Sequence, residues 1–558
     1  MARRRGRPEW YRDAVIYSLD VKTFNDSDGD GWGDFQGAID RLGYLDALGV
    51  DCLWLRPFFP SPLEDNGYDV ADYYGVDSRV GTLGDFADFV EAAGDRGIRV
   101  LCDMVFNHTS DQHRWFQRAR QDPGSKYHDY YLWTNDLDSA YKRGNIFPEY
   151  EDGVWSYDEV AGKHYYHQFY HFQPDLNVAN PAVRQEIYDV LEFWLELGVD
   201  GFRIDAAHPM TEPKGHDAVG IEDADWLYRR MKEVVRDVDD EAVLLAEADD
   251  QPEELVHYFG GGDGFDLLFN FVLNQHLVYA VAVKDTWPLH RSFEVLPDVS
   301  DVGQWANFLR NHDEFNLLKL PWEAFEHARD FFGDEPGGGE SWIFGRGHRL
   351  RLADLYVGDW DRIALAHSLV FSLPGTPVIL SGDEIGMGAD LSLPEREAVR
   401  TPMQWSNDRN AGFSTADPDD LYNPVIDEGE FGYEHVNVAD QLTDDGSLLR
   451  RIQRIVEARH RCPEISSGEF SVVGVEPREV WVHRIDAGNT VLLAAHNTAD
   501  ERREVAVDFE PPAETTTRVV GPGDYGVAEG RCTFGLDACD YVWLRADRRG
   551  ERVPLGEP

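Results

Sequence analysis

The sequence predicts an α/β fold: a barrel of eight parallel strand–helix units, a (β/α)8 or TIM barrel, followed by a small antiparallel β domain. Three observations predict it. Eight short apolar runs recur along the first two thirds of the chain. Several of them lead into amphipathic helical segments, the mark of strands covered by helices on one face and buried on both. Past residue 462 the pattern changes to short alternating runs divided by turn residues, as in a β domain with one face to a core.

The runs expected as strands are 14–21, 51–58, 98–107, 201–206, 242–248, 265–271, 304–313 and 376–385. Helical patterns occupy 35–48, 85–96 and 181–197, the last opening with Asn180 as N-cap and Pro181 at the first helical position, where a missing N–H costs nothing. Spacing is uneven after the third strand, where residues 109–172 are rich in Tyr, Trp, His and Asp without helical periodicity. That stretch is expected to be a loop-rich excursion over the C-terminal ends of the strands, where barrel chemistry sits. A second gap, 319–361, contains Gly337-Gly-Gly-Glu340 and is Gly-rich rather than strongly helical. The expected organisation is therefore barrel at 1–108, inserted subdomain at 109–172, barrel again at 173–461 and C-terminal β domain at 462–558.

Composition excludes several functions. The 558 residues carry a net charge of −52, with a sequence pI near 4.5. Such a field repels phosphate backbones and anionic lipid, so neither nucleic acid nor membrane is an expected partner. With 42% hydrophobic and 13% aromatic residues the chain is a folding one. Only eight of the 52 basic residues are Lys, and a carboxylate excess with little Lys fits a surface kept soluble in concentrated salt, hence a halophilic source. Five cysteines argue against a disulfide framework. The basic start has no apolar stretch behind it, and the longest uncharged run, 363–382, is interrupted by Pro374, Gly375 and Pro377. A soluble, cytoplasmic protein is expected.

The fourth strand run reads Gly201-Phe-Arg-Ile-Asp205. Alternation turns Arg203 and Asp205 to the same side, into the barrel. A guanidinium beside a carboxylate lowers its pKa and keeps it ionised, as a nucleophile requires. The fifth run ends its apolar residues with Glu247, and such surroundings raise a carboxyl pKa, as a general acid requires. Two strand-end carboxyls in contrasting environments are what glycoside cleavage uses, and adjacent strand ends suit the ~5–5.5 Å gap of a retaining pair. Elsewhere, Asp26, Asp28, Asp30 and Asp34 alternate with Gly29 and Gly31 like the start of an EF-hand loop. The twelfth position is Gly37 rather than the bidentate Glu of that loop, yet hard oxygens at this spacing suit Ca²⁺.

These motifs resemble the α-amylase superfamily of glycoside hydrolases. Asp103-Met-Val-Phe-Asn107-His108, Gly201-Phe-Arg-Ile-Asp205, Ala246-Glu247 and Asn311-His312-Asp313 stand in that family's order, each at an expected strand end. The resemblance implies Asp205 as nucleophile, Glu247 as general acid/base, Asp313 as transition-state stabiliser, and His108, Arg203 and His312 as sugar contacts. Gln173-Pro-Asp-Leu-Asn177 is similar to the oligo-1,6-glucosidase side of the superfamily. There Asp69 and Arg400, from Gly67-Tyr68-Asp69 and Val399-Arg400-Thr-Pro-Met-Gln-Trp405, would pair around the non-reducing end, with Tyr68 stacked on a sugar face. That implies exo-action on short α-glucosides such as maltose or trehalose. Pro60-Ser-Pro62, Thr109-Ser-Asp-Gln-His113 and Phe308-Leu-Arg-Asn-His-Asp-Glu314 carry a finer similarity to the branch that isomerises maltose to trehalose through a covalent glucosyl-Asp intermediate. The alternatives are an exo-acting α-glucosidase and a non-catalytic binding subunit; all three carboxylates speak against the latter. The resemblance further implies a structural calcium held by Asp26, Asp28, Asp30, Asp34 and the Trp32 carbonyl, and a second at Asn107, Asp175 and Glu212.

Overall fold

The computed structural model describes residues 9–138, 140, 144–212, 224–333, 335–511 and 513–548. Its centre is a closed barrel of eight parallel strands: β1 (Ile16–Leu19), β2 (Cys52–Leu55), β3 (Arg99–Met104), β4 (Gly201–Ile204), β5 (Val243–Ala246), β6 (Leu267–Phe269), β7 (Gln304–Phe308) and β8 (Thr376–Leu380). Every strand pairs with its sequence neighbours, and β1 closes the ring against both β2 and β8. The observed strands are shorter than the apolar runs because the last residues of each run already turn over the barrel rim. Asp205 and Glu247, for example, lie one residue past the ends of β4 and β5.

Helices follow most strands, each started by local chemistry. Helix α1 (Phe35–Leu48) is capped by Asp34, which accepts the Gly37 N–H, and stops at Gly49, whose φ of 88° a side chain would resist. Helix α2 (Leu83–Asp95) has a Thr82–Asp85 capping box, and α3 (Pro181–Glu196) has the Asn180 cap. Then come α4 (Ala224–Val238), α5 (Phe271–Val283), α6 (Trp360–Ser372) and α7 (Leu448–His460); after β5 a 3₁₀ segment, Leu255–Gly262, takes the helix position. Inside the barrel Ile16, Trp54, Leu101, Leu245, Phe269 and Phe308 form an apolar plug. Period-2 alternation then sets Asp103, Arg203, Asp205 and Glu247 above that plug, at the C-terminal rim.

The excursion at 109–172 is less loop-like than its composition implies. It holds a helix, Arg114–Gln121, and a three-stranded antiparallel sheet in the order Trp133–Thr134, Lys163–Tyr166, Trp155–Asp158. The Gly-rich stretch at 319–361 likewise contains an 11-residue helix, Trp322–Phe332, and two short strands, Trp342–Ile343 and Gly347–His348, that join Phe315–Asn316 in a small sheet. Its glycine tract breaks regular structure, with positive φ at Gly337, Gly338 and Gly339.

The C-terminal domain packs a five-stranded on a three-stranded antiparallel sheet around Val482, Leu493, Phe509, Phe534 and Leu544. It docks on α6 through two stacked, fully buried histidines: His483 Nε2 meets the Ser372 carbonyl at 2.9 Å and His496 Nε2 meets Ser368 Oγ at 3.0 Å. All five cysteines are free and buried. Among the described residues no helix is long and apolar enough to cross a membrane.

Candidate active site

Arg203 is the hub of the rim. Its Nη1 donates to Asp103 at 2.7 Å and Asp205 at 2.5 Å, and its Nη2 reaches Glu247 at 2.9 Å. The side chain is 1% exposed, so these pairs sit in low dielectric, where they hold geometry firmly. Ala206, forced into the left-handed region at φ 46°, aims its N–H at Glu247 Oε2 at 3.2 Å. One guanidinium therefore bridges the ends of β4 and β5 and holds both carboxyls against a single cation.

Asp103, Asp205 and Glu247 share this one cation, so not all of them ionise easily. Burial pushes Glu247 up to about 8, with Asp205 and Asp313 adding to the rise against Arg203. Burial also lifts Asp205, to about 7, and Asp103, to about 6. The sequence expectation that Arg203 would hold Asp205 low is thus corrected: desolvation outweighs the guanidinium. Asp313 goes the other way; burial is outweighed by the guanidiniums of Arg396 and Arg400, which hold it well below the usual carboxylate range.

Tyr68 and His312 stack with ring centroids 5.3 Å apart and planes 3° from parallel. Tyr68 Oη donates to Asp103 at 3.0 Å, so Nε2 of His312, 2.6 Å away, is the donor to that oxygen. Burial keeps His312 neutral. His108 is locked by Nε2 donating to the Tyr68 carbonyl at 3.0 Å and packs on Phe169. These residues, with Asp205, Glu247 and Asp313, line one cavity of about 230 Å³.

Asp69 is not part of it. Fully buried, it accepts the Ser61 hydroxyl at 2.8 Å and the N–H groups of Glu64 and Asp65, holding the loop after β2 in shape. The acid that meets the guanidiniums is Asp65, 2.7 Å from Arg396 and 3.9 Å from Arg400. Arg396 and Arg400 also bond Asp313, at 2.9 and 3.1 Å. Both Asp65 and Arg396 escaped the sequence reading. The only signals were the spacing of Arg396 one helical turn before Arg400 and an acid two residues ahead of Gly67.

The roof was also unread. Arg346 donates to Glu314 at 2.7 Å and to the Ile146 carbonyl at 3.3 Å, and its guanidinium lies over Phe147 and Phe344. Phe344 N–H donates to Glu149 at 3.1 Å. Two segments about 200 residues apart in sequence therefore join over the cavity.

Of the first calcium set, Asp26, Asp28 and Asp34 bring carboxylate oxygens within 4.8 Å of one another. Asp30 stands outside that group and accepts the Trp32 N–H, while the Trp32 ring packs on Tyr422. Burial and then Asp30, Asp26 and Asp34 push the Asp28 carboxyl up, the mark of crowded like charge that a cation relieves. Of the second set, Asn107 Nδ2 and Asp175 meet at 3.3 Å, whereas Glu212 pairs with His208 at 2.9 Å.

A closed parallel barrel with three carboxyls, Asp205, Glu247 and Asp313, gathered at one cavity on its C-terminal rim is the architecture of an enzyme of the glycoside hydrolase class. The model of the alpha-amylase catalytic domain matches residues 17–320 and 340–468, and the chain belongs to that family. It is 40% identical to the trehalose synthase/amylase TreS of Mycobacterium tuberculosis over 92% of this chain and 87% of that one. It is 39% identical to a trehalose synthase of Pimelobacter sp. (strain R48) over 96% of both. Among solved structures, the alpha-amylase from H. orenii superimposes with a TM-score of 0.77 at 27% identity, covering 96% of this chain and all of that one.

Proposed function

We propose that the protein interconverts maltose and trehalose by intramolecular transglucosylation. Asp205 attacks C1 of the bound glucosyl unit and forms a glucosyl ester; the C1–O bond to the second glucose breaks, and Glu247 passes its proton to the leaving oxygen. The released glucose turns, its anomeric hydroxyl attacks the same carbon, and Glu247 takes the proton back. Tyr68, His108 and His312 position the glucosyl ring, while Asp313, kept ionised by Arg396 and Arg400, stabilises developing positive charge. The observation that carries this reading is a cavity lined by the Asp65–Arg396 pair and roofed through Arg346, which favours retention of glucose over entry of water. The 39–40% identity to trehalose synthases along most of the chain supports the same reading. Incubation with maltose tests it: trehalose should be the main product with a minor glucose leak. Glucose alone, at high maltose and low temperature, would overturn it in favour of an exo-acting α-glucosidase.

We further infer a structural Ca²⁺ held by Asp26, Asp28 and Asp34, supported by their converging oxygens. The charge of −52 with few lysines supports a halophilic source and a cytoplasmic, high-salt setting. Thermal midpoints in dilute and molar KCl test that: the midpoint should rise with salt.

A further inference from the structure

The last turns of α7 are a basic island in an acidic chain. Five of the twelve residues 450–461 are Arg and one is Glu, against a net charge of −52 for the whole. Arg459 is buried and donates to the carbonyls of Phe371, Leu373 and Gly375, which fixes α7 to the loop after α6. Arg451, Arg454 and Arg461, the last at the helix C-cap, share another helix face. All three line a cavity of about 670 Å³ between α7 and residues 519–522 of the C-terminal domain. Tyr541, from the facing sheet, lines the same cavity and is 6% exposed, its ring stacked on His496 of the seam with centroids 6.3 Å apart. Burial pushes its hydroxyl up to about 12, and the charges that act on it next, Arg451, Arg454, Asp540 and Asp361, all line the cavity, so the hydroxyl points into it. Among the described residues that hydroxyl has no hydrogen-bond partner.

The guanidiniums are available to a ligand. Arg454 is exposed, donates to the Asp445 carbonyl at 3.1 Å and pairs with no carboxylate among the described residues. Arg451 pairs with Asp361 and Arg461 with Glu457, but those carboxylates are 61% and 45% exposed, and such open pairs contribute little and yield to a stronger anion. Guanidinium forks on one wall and a phenol on the other suit a tetrahedral group with three terminal oxygens better than a planar carboxylate. Asp361, Glu457 and Asp540 stand in the same cavity; they repel a ligand that is anionic throughout and accept hydroxyl groups well. We propose that this seam binds a sugar phosphomonoester, with the phosphate on Arg451, Arg454, Arg461 and the Tyr541 hydroxyl and the sugar hydroxyls on the three carboxylates. The volume falls within the ~300–1,000 Å³ of small-molecule sites. No residue lines both this cavity and the one that holds Asp205 and Glu247, so it is a second site.

Calorimetry on the intact chain tests this with glucose 6-phosphate as the probe and inorganic phosphate as its control. The sugar phosphate should bind, and more tightly than phosphate. Arg454→Gln should weaken it about 10-fold or more, the scale of a hydrogen bond to a charged group, and Tyr541→Phe about 3- to 5-fold. Arg346→Gln, in the roof of the catalytic cavity, should leave it unchanged. Absence of binding, wild-type affinity in Arg454→Gln, or loss of affinity in Arg346→Gln would each overturn the proposal. Phosphate binding as tightly as glucose 6-phosphate would overturn it too, as an adventitious ion only. Thermal midpoints of the variants are measured alongside; if Arg454→Gln unfolds early, Tyr541→Phe, which removes one oxygen, decides in its place.

Discussion

Asp65 and Arg396, 331 residues apart in sequence, meet at 2.7 Å and close the inner end of the sugar cavity. Arg396 simultaneously holds Asp313 at 2.9 Å, so this wall and that carboxylate form one unit. Asp65→Ala leaves two buried guanidiniums short of a partner, and kcat/KM for a disaccharide should fall at least about 100-fold, the scale of breaking a buried pair. Asp69→Ala should instead lower the thermal midpoint by several degrees, since it removes the acceptor of three loop hydrogen bonds. Kinetics that respond more to Asp69 than to Asp65 would refute this assignment.

Asp205 at about 7 and Glu247 at about 8 give a narrow window for catalysis. The proposed mechanism needs the first deprotonated and the second protonated, so kcat/KM should trace a bell between the pair's two apparent values. Glu247→Gln should lose the alkaline limb and retain turnover of a substrate whose leaving group needs no proton. Stability moves too. Both carboxyls bind protons more tightly folded than unfolded, so they favour the fold below about pH 4 and that contribution is lost as pH rises through 7 and 8.

The paired histidines at the seam act in the opposite sense. Burial lowers His483 to about 4 and His496 further. A depressed histidine contributes fully above its unfolded value of ~6.5 and loses that contribution as pH falls toward 4, which for His483 alone is about 3 kcal/mol. Thermal midpoints measured from pH 7 to 4 should drop steeply in the wild type and less steeply in His483→Gln.

Arg346 ties the roof together through Glu314, Ile146 and two phenyl rings. Arg346→Ala should raise the glucose-to-trehalose ratio severalfold with total maltose cleavage nearly preserved, and Arg346→Lys should not repair it, because a point charge cannot reproduce the planar contacts. Product analysis by chromatography decides the matter.

Chelation should lower the thermal midpoint if a cation bridges Asp26, Asp28 and Asp34, and added Ca²⁺ should restore it. Asp28→Asn should abolish that response, whereas Asp30→Asn, outside the converging group, should leave it largely intact.

How far the sequence revealed this site follows from the kind of structure each residue occupies. Arg203, Asp205 and Glu247 sit at ends of regular strands, where alternation alone fixes the face they present. Asp69 misled because adjacency to Tyr68 in a motif says nothing about which way a loop side chain turns; its neighbour four residues back took the role. Arg346, Phe344 and Phe147 carry no local pattern, since their meaning arises only when two insertions touch. Composition likewise hid the helix Trp322–Phe332, because the glycines that follow dominate the segment.

Ring closure sets a condition on biosynthesis. Ile16 of β1 lies beside Cys52 on one side and Val378 on the other. Until the ribosome has released β8, the first strand has an open flank, and the emerging half-barrel exposes backbone N–H and C=O groups that invite foreign strands. Roughly two thirds of the polypeptide must thus wait in an unsealed form, and the rate at which translation reaches residue 380, set against the rate of misassociation, governs the yield of active molecules in any expression host.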